Sequence, residues 1–275
     1  MEKVNVRKIF KEKNPKVARL IPGFLYRYLE RVIHQKEIND LIPVFEGKMG
    51  LDFVQTAVKQ FNIEINVKGD ENIPKTGRNI FVANHPLGGF DGLVFAHVVG
   101  KYHPELKFLV NDILMNLENL EPIFIPVNKH GRQSLEYVKK IEKTYESDDQ
   151  VLNFPAGLCS RKVNGRIIDL EWKKSFITKA VQHKRDIVPV HIDGRNSNFF
   201  YNLSNIRKKL GIKANIEMLY LADELFKQQN KEITLTFGKP IPYQTFDKSK
   251  SPKEWAQELK NYVYRLPKGE IEPFR

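Results

Sequence analysis

Past residue 48 the chain alternates between two hydrophobic periods. Ile63-Glu64-Ile65-Asn66-Val67 places an apolar side chain at every second position, the pattern of a half-buried strand, and stops at Gly69-Asp70. Short apolar runs of strand length recur at Arg78–Ala83, Lys107–Val110, Pro122–Val127, Gln150–Phe154, Ile187–Ile192 and Glu232–Phe237. Helical spacing occupies 51–61, 91–101, 131–146, 172–184 and 254–265, separating several of these runs. Strands alternating with helices predict an α/β fold, a single domain with a mixed, partly parallel central sheet flanked by helices. Functional residues are then expected in loops beyond the carboxyl ends of the parallel strands.

The first forty-seven residues have a different texture. Lys3, Arg7, Lys8, Lys11, Lys13, Lys16 and Arg19 crowd around Val4, Val6, Ile9, Phe10, Val17, Leu20 and Ile21. After Pro22-Gly23, residues 25, 28, 29, 32 and 33 are apolar or aromatic, which is helical spacing. The reading is an N-terminal basic amphipathic helical segment, 1–47, ahead of an α/β domain over 48–275. For 3–21 the mixture of basic and bulky apolar residues suits contact with an anionic membrane surface, whereas 24–35 is expected to pack on the protein's own core.

Charge narrows the classes of partner. Forty-five Lys and Arg against thirty-three Asp and Glu leave +12, an excess that favours nucleic acid, an anionic bilayer or an acidic carrier protein. Neither a helix-turn-helix, a ribonucleoprotein aromatic block nor zinc-finger spacing is present, so no nucleic acid is expected. One cysteine, Cys159, excludes an intramolecular disulfide framework and fits a reducing compartment. The histidines lack the HxxxH and HExxH spacings, so no metal site is expected. No apolar run reaches the roughly 18 residues of a membrane span, and Met1–Arg7 lacks the apolar core of a secretory signal.

The densest chemistry is Asn84-His85-Pro86-Leu87-Gly88-Gly89-Phe90-Asp91-Gly92, directly after the run ending at Ala83. A histidine leaving a strand, a turn loosened by Gly88 and Gly89, and an aspartate read as the N-cap of the next helix can set imidazole and carboxylate side by side. The plain alternative is a βα turn with a capping aspartate and a surface histidine, and these nine residues alone leave both open. Three later strand ends run into polar turns: Ile123–Arg132 with Lys129 and Arg132; Val151–Arg161 with Phe154, Pro155, Gly157, Ser160 and Arg161; and Ile187–Ser197 with His191, Asp193 and Arg195. The basic turns could equally be solvated loops, and the last trio a strand end with polar residues in solvent.

Taken in order, these segments resemble the four blocks of the glycerolipid acyltransferase superfamily, the lysophosphatidic-acid-acyltransferase-like proteins, over roughly residues 60–240. Five residues, Pro86–Phe90, separate His85 from Asp91 where the superfamily usually has four, and Ala156 replaces the Glu of its Phe-Pro-Glu-Gly block. Both departures, with Gly194-Arg195-Asn196-Ser197, are similar to the hemolysin-like branch linked to bacterial ornithine and glycine lipids.

The resemblance implies an O-acyltransferase with no bound cofactor, using acyl-ACP or acyl-CoA as co-substrate. The expected acceptor is a one-chain lipid, an N-(3-hydroxyacyl) amino acid, with a lysophosphatidic acid acyltransferase as the alternative. Acyl carrier protein and an anionic membrane surface are the implied partners, at the cytoplasmic face of the inner membrane. His85 would be the base and Asp91 its orienting partner. Asn84, Gly88, Gly89, Lys129, Arg132, Phe154, Pro155, Gly157, Ser160 and Arg161 would shape the substrate site. Cys159 needs no role as nucleophile.

Overall fold

Alternating periods past residue 48 produce a seven-stranded sheet. In the computed structural model, which describes residues 3–13, 15–127, 135–269 and 273–274, the strands begin with β1 (Glu64–Lys68), β2 (Asn79–Ala83), β3 (Leu106–Asn111), β4 (Phe124–Val127) and β5 (Gln150–Asn153). A separate antiparallel hairpin follows, β6 (Arg161–Val163) with β7 (Arg166–Ile168), and then β8 (Asp186–Ile192) and β9 (Glu232–Phe237). The sheet runs β1-β9-β8-β2-β5-β3-β4. All neighbours are parallel except β8 and β9. This is the mixed, partly parallel sheet that the alternation predicts. The hairpin was not anticipated: three-residue strands in a basic stretch carry too little periodicity to be seen.

The helices are α1 (Val6–Lys13), α2 (Pro15–Leu20), α3 (Gly23–Val32) and α4 (Gln35–Leu41), then α5 (Gly50–Gln60) and α6 (Phe90–Tyr102). They continue with α7 (Leu135–Glu146), α8 (Ser175–His183), α9 (Asn198–Lys209), α10 (Leu221–Phe226) and α11 (Pro252–Val263). The expected helix over 131–146 is seen from Leu135, and residues 128–134 lie outside those described. None of the described helices is long and apolar enough to cross a membrane.

Two units share the chain. The α/β unit holds Met49–Arg195 and Asn230–Arg275; a helical unit holds Met1–Lys48 and Asn196–Gln229.

In the α/β unit β2 is central, and all five of its residues are buried. A strand covered on both faces must be apolar at consecutive positions, which explains the unbroken Ile80-Phe81-Val82-Ala83 run. Phe176, Ile177 and Ala180 of α8 and Trp255, Ala256, Leu259 and Val263 of α11 pack in one cluster with Ile80, Val82, Val151 and Ile187. Arg185, fully buried between α8 and β8, donates to the carbonyls of Tyr145, Asp149, Thr144 and Ser147, closing the C-terminal end of α7. Burial pulls its guanidinium down to about 10, which leaves it charged at neutral pH.

In the helical unit the two stretches are joined by specific polar contacts. His34 meets Asp223 at 3.0 Å and stacks on Phe226 at 4.3 Å. Nearer the N-terminus, Val6 is buried, Arg7 pairs with Glu30 at 2.8 Å, and the Asn39 side chain holds both the N–H and the carbonyl of Val4. The first turns of the chain are therefore woven into their own unit.

Candidate active site

His85 leaves β2 two residues beyond its carboxyl end, and the backbone wraps from Pro86 to Gly89 around a single carboxylate. Asp91 is fully buried. One of its oxygens faces His85 Nδ1 at 2.9 Å and accepts the N–H of Leu87 at 2.9 Å and of Gly88 at 3.3 Å. The other accepts the N–H of Gly89 and of Gly92, each at 3.0 Å. The turn needs φ = +79° at Gly88, a torsion that costs glycine little.

This geometry corrects one detail of the sequence reading. Asp91 is not the N-cap of α6. That position is Gly89, and Asp91 is the second helical residue. From there its carboxylate reaches back over the turn as well as onto the helix start, so it gathers more donors than a cap does.

Burial by itself pushes the Asp91 carboxyl up, but the neighbouring His85 and the backbone N–H groups outweigh it and hold the acid below its ordinary value. An ionised carboxylate only accepts hydrogen bonds, so Nδ1 of a neutral His85 must carry the proton. Nε2 then keeps its lone pair and can take a proton from a hydroxyl. The ring plane is fixed as well: His85 stacks on Phe154 at 4.1 Å and 17°, and Phe154 is wedged against Phe95 and Phe108 at 5.8 and 5.2 Å. The His85 side chain remains 16% exposed, open enough for a reactant.

The other expected residues divide between the neighbourhood of His85 and the scaffold. Asn84 bridges β2 to β8, donating to the carbonyl of Ile192 at 2.8 Å and accepting its N–H at 2.7 Å. Phe154 lies at the end of β5, beside β2. The turn after it closes through the Gly157 N–H to the Phe154 carbonyl, with φ = +64° at Gly157, while the Pro155 carbonyl accepts the N–H of Lys173. Ser160 comes back to His85, its N–H donating to the His85 carbonyl at 2.7 Å. Arg161 is buried, and its guanidinium lies on the carbonyl and the sulfur of Cys159, both at 2.8 Å. Burial pushes the Cys159 thiol up, so it is protonated and a poor nucleophile. Lys129 and Arg132 lie outside the described residues.

Ala156 is buried among Val82, Val151 and Trp172. Of the later trio, Asp193 and Arg195 are exposed, whereas His191 turns its ring edge-on to Tyr264 at 5.7 Å. Burial lowers His191 to about 4 and keeps it neutral. Among the described residues no group of His, Cys, Asp or Glu is arranged to hold a metal.

One residue here was missed by the motif reading. Asp169 accepts the His85 N–H at 3.2 Å and the Ser160 hydroxyl at 2.6 Å on one oxygen, and Trp172 Nε1 at 2.9 Å on the other. Its own backbone is held by the Tyr264 hydroxyl, which accepts its N–H at 2.8 Å, and by Lys260, which donates to its carbonyl at 2.6 Å. Asp169 thus ties the His85 turn, the Ser160 turn and α11 together. Its sequence neighbourhood, Ile168-Asp169-Leu170, offers no pattern that sets it apart from a surface loop.

A sequence model of the acyltransferase family matches residues 8–269. The chain belongs to this family. As an acyltransferase it is 53% identical over 264 residues to the lyso-glycine lipid O-acyltransferase of Bacteroides thetaiotaomicron, spanning 96% of this chain and 97% of that protein. It is 50% identical over the same length to the lyso-glycine lipid O-acyltransferase of Phocaeicola vulgatus, spanning 96% and 95%. The fold is similar to that of the 1-acyl-sn-glycerophosphate acyltransferase PlsC from Thermotoga maritima, with a TM-score of 0.51 over 81% of each chain at 20% identity.

Proposed function

We propose that this acyltransferase moves a fatty acyl chain from a thioester to the hydroxyl of a one-chain N-(3-hydroxyacyl)glycine, giving a two-chain glycine lipid. Identity of 50–53% along nearly the whole chain to two lyso-glycine lipid O-acyltransferases carries the choice of acceptor. The chemistry rests on His85 and Asp91. As the acceptor oxygen attacks the thioester carbonyl, Nε2 of His85 takes the hydroxyl proton, and Asp91 stabilises the imidazolium across 2.9 Å. The tetrahedral intermediate collapses by breaking the C–S bond, and the imidazolium returns its proton to the leaving thiolate. General-base assistance of this kind supplies about 10²–10⁴-fold.

Phe154, Gly88 and Gly89 bound the space around the imidazole; Lys129 and Arg132 supply positive charge for an acidic head group or a carrier phosphate. The excess of +12 supports an acyl carrier protein as donor and peripheral attachment to the cytoplasmic face of an anionic inner membrane. Parallel assays with N-(3-hydroxyacyl)glycine and lysophosphatidic acid, each with acyl-ACP and acyl-CoA, test the assignment. Turnover of the glycine acceptor at least tenfold above the other supports it, and a strong preference for lysophosphatidic acid overturns the acceptor while leaving the base in place.

A further inference from the structure

The helical unit carries an outward apolar face that its own packing does not use. In α9, Phe200, Tyr201, Ser204 and Arg207 turn inward and are buried. Phe199, Ile206 and Leu210, spaced by seven and four residues, line the outer side at 49%, 54% and 69% exposure. A soluble helix facing water at these positions has little reason to carry three large apolar side chains in one stripe.

The stripe continues onto α3. Phe199 packs edge-on against Tyr220 at 4.9 Å, and the Tyr220 hydroxyl meets the hydroxyl of Tyr28 at 2.6 Å. Tyr28 is 44% exposed, and one helical turn before it Phe24 is 66% exposed. Two segments nearly two hundred residues apart therefore build one aromatic and aliphatic surface. Exposed Arg27, Arg31, Lys208, Lys209 and Lys213 accompany it. Within the unit, sixteen Lys and Arg face nine Asp and Glu.

We infer that α9, together with Tyr220 and the outer side of α3, docks on an anionic lipid bilayer. Apolar side chains enter the acyl–headgroup boundary, aromatic hydroxyls stay at headgroup level, and the cations meet lipid phosphates. A protein partner of ordinary composition would not call for so many cations around the apolar centre. The inference rests on the reading of this enzyme as acting on a lipid, since such an acceptor resides in the bilayer, and it places the docking surface in α9, where the sequence pattern had placed none.

The test uses the full chain and vesicles of phosphatidylglycerol and phosphatidylcholine at one to three, against phosphatidylcholine alone. Ile206→Glu/Leu210→Glu alters only exposed positions, and its partitioning onto the anionic vesicles should fall about tenfold or more. Lys208→Glu/Lys209→Glu should lose the salt-sensitive part of binding. Activity on a short-chain acceptor dispersed below its micellar concentration should stay within twofold for both variants. That last readout separates docking from chemistry: if it is absent in the parent enzyme too, the acyltransferase reading fails, not the surface. Vesicle binding of Ile206→Glu/Leu210→Glu within twofold of the parent overturns the inference. So does a lipid-free parent dimer that this substitution converts to monomer, because the face would then belong to a second copy of the chain.

Discussion

Replacing His85 by Ala removes the imidazole while Pro86, Gly88 and Gly89 still shape the turn, so acyl transfer should fall by about 10²–10⁴-fold with the fold retained. Asp91→Asn is expected to do more damage than a lost charge. Each Asp91 oxygen accepts from two backbone N–H groups, and the first also meets His85 Nδ1. In either flip, the amide Nδ2 would point its hydrogens at two N–H donors, which then lose their acceptor. The cost is about 1–3 kcal/mol for a buried group such as the Leu87 N–H and less for the part-buried glycine N–H groups. The variant should therefore lose activity comparably to His85→Ala and also unfold at lower denaturant. Turnover kinetics and chemical denaturation of both variants check this, and an Asp91→Asn protein as stable as the parent would contradict the reading of the turn. Residue types and spacing at this turn left a surface histidine equally open, and it was the order of the four blocks along the chain that singled out this pair. Asp169 was not legible, because its roles lie at contacts 84 and 9 residues away in the chain and no local pattern marks them.

The elements that came through in the sequence are those whose hydrophobic period is strong and locally bounded. α11 begins at Ser251-Pro252-Lys253-Glu254, a complete capping box with proline in the first turn. α9 shows little such pattern, since Asn198, Asn202 and Asn205 interrupt an aromatic-rich stretch whose outward face is itself apolar. Where α7 ends, the decisive group comes from elsewhere: Arg185 satisfies carbonyls from Thr144 to Asp149. Arg185→Met fills much of the volume but leaves those carbonyls without their donor, so it should destabilise the fold by about 3–5 kcal/mol. Lys at that position restores one charge and too few hydrogens, and should recover only part. Urea unfolding of the two variants measures it; a loss below 1 kcal/mol for Arg185→Met would show that the carbonyls find other donors.

Stability of the α/β unit should depend on pH through groups that the fold keeps uncharged. Burial holds His191 neutral down to about 4, against an ordinary 6.5, and shifts His97 in the same direction with help from Lys101. Between those two values the unfolded chain binds a proton at His191 that the folded chain refuses. Stability therefore drops as pH falls from 6.5 towards 4, by about 3 kcal/mol at most from this group. Asp91, depressed in the folded state, keeps its contribution through that window and loses it only below the ordinary 3.8, as pH falls through its own folded value. Melting temperatures from pH 7.5 to 4.5 should decline, and His191→Gln should flatten the decline. An unchanged slope in that variant would mean that His191 is not the group that titrates.

Periodicity, turn residues and spacing act within a few residues of chain, and the sequence by itself accordingly determined the seven strands of the main sheet, most of the helices, and a turn short enough to bring His85 within reach of Asp91. It also determined family membership, because the ordered blocks are a property of the chain. Only the tertiary structure decided what depends on distant partners. The antiparallel entry of β9 beside β8 is one such choice, since a strand pattern does not say which edge it will join. The burial of Arg161 on Cys159 is another, because a basic residue in a turn reads the same whether its guanidinium meets solvent or a carbonyl. The gathering of Met1–Lys48 with Asn196–Gln229 is the largest. Nothing in either stretch encodes the other, and the aromatic face they share exists only once Tyr28, Tyr220 and Phe199 have been folded against one another.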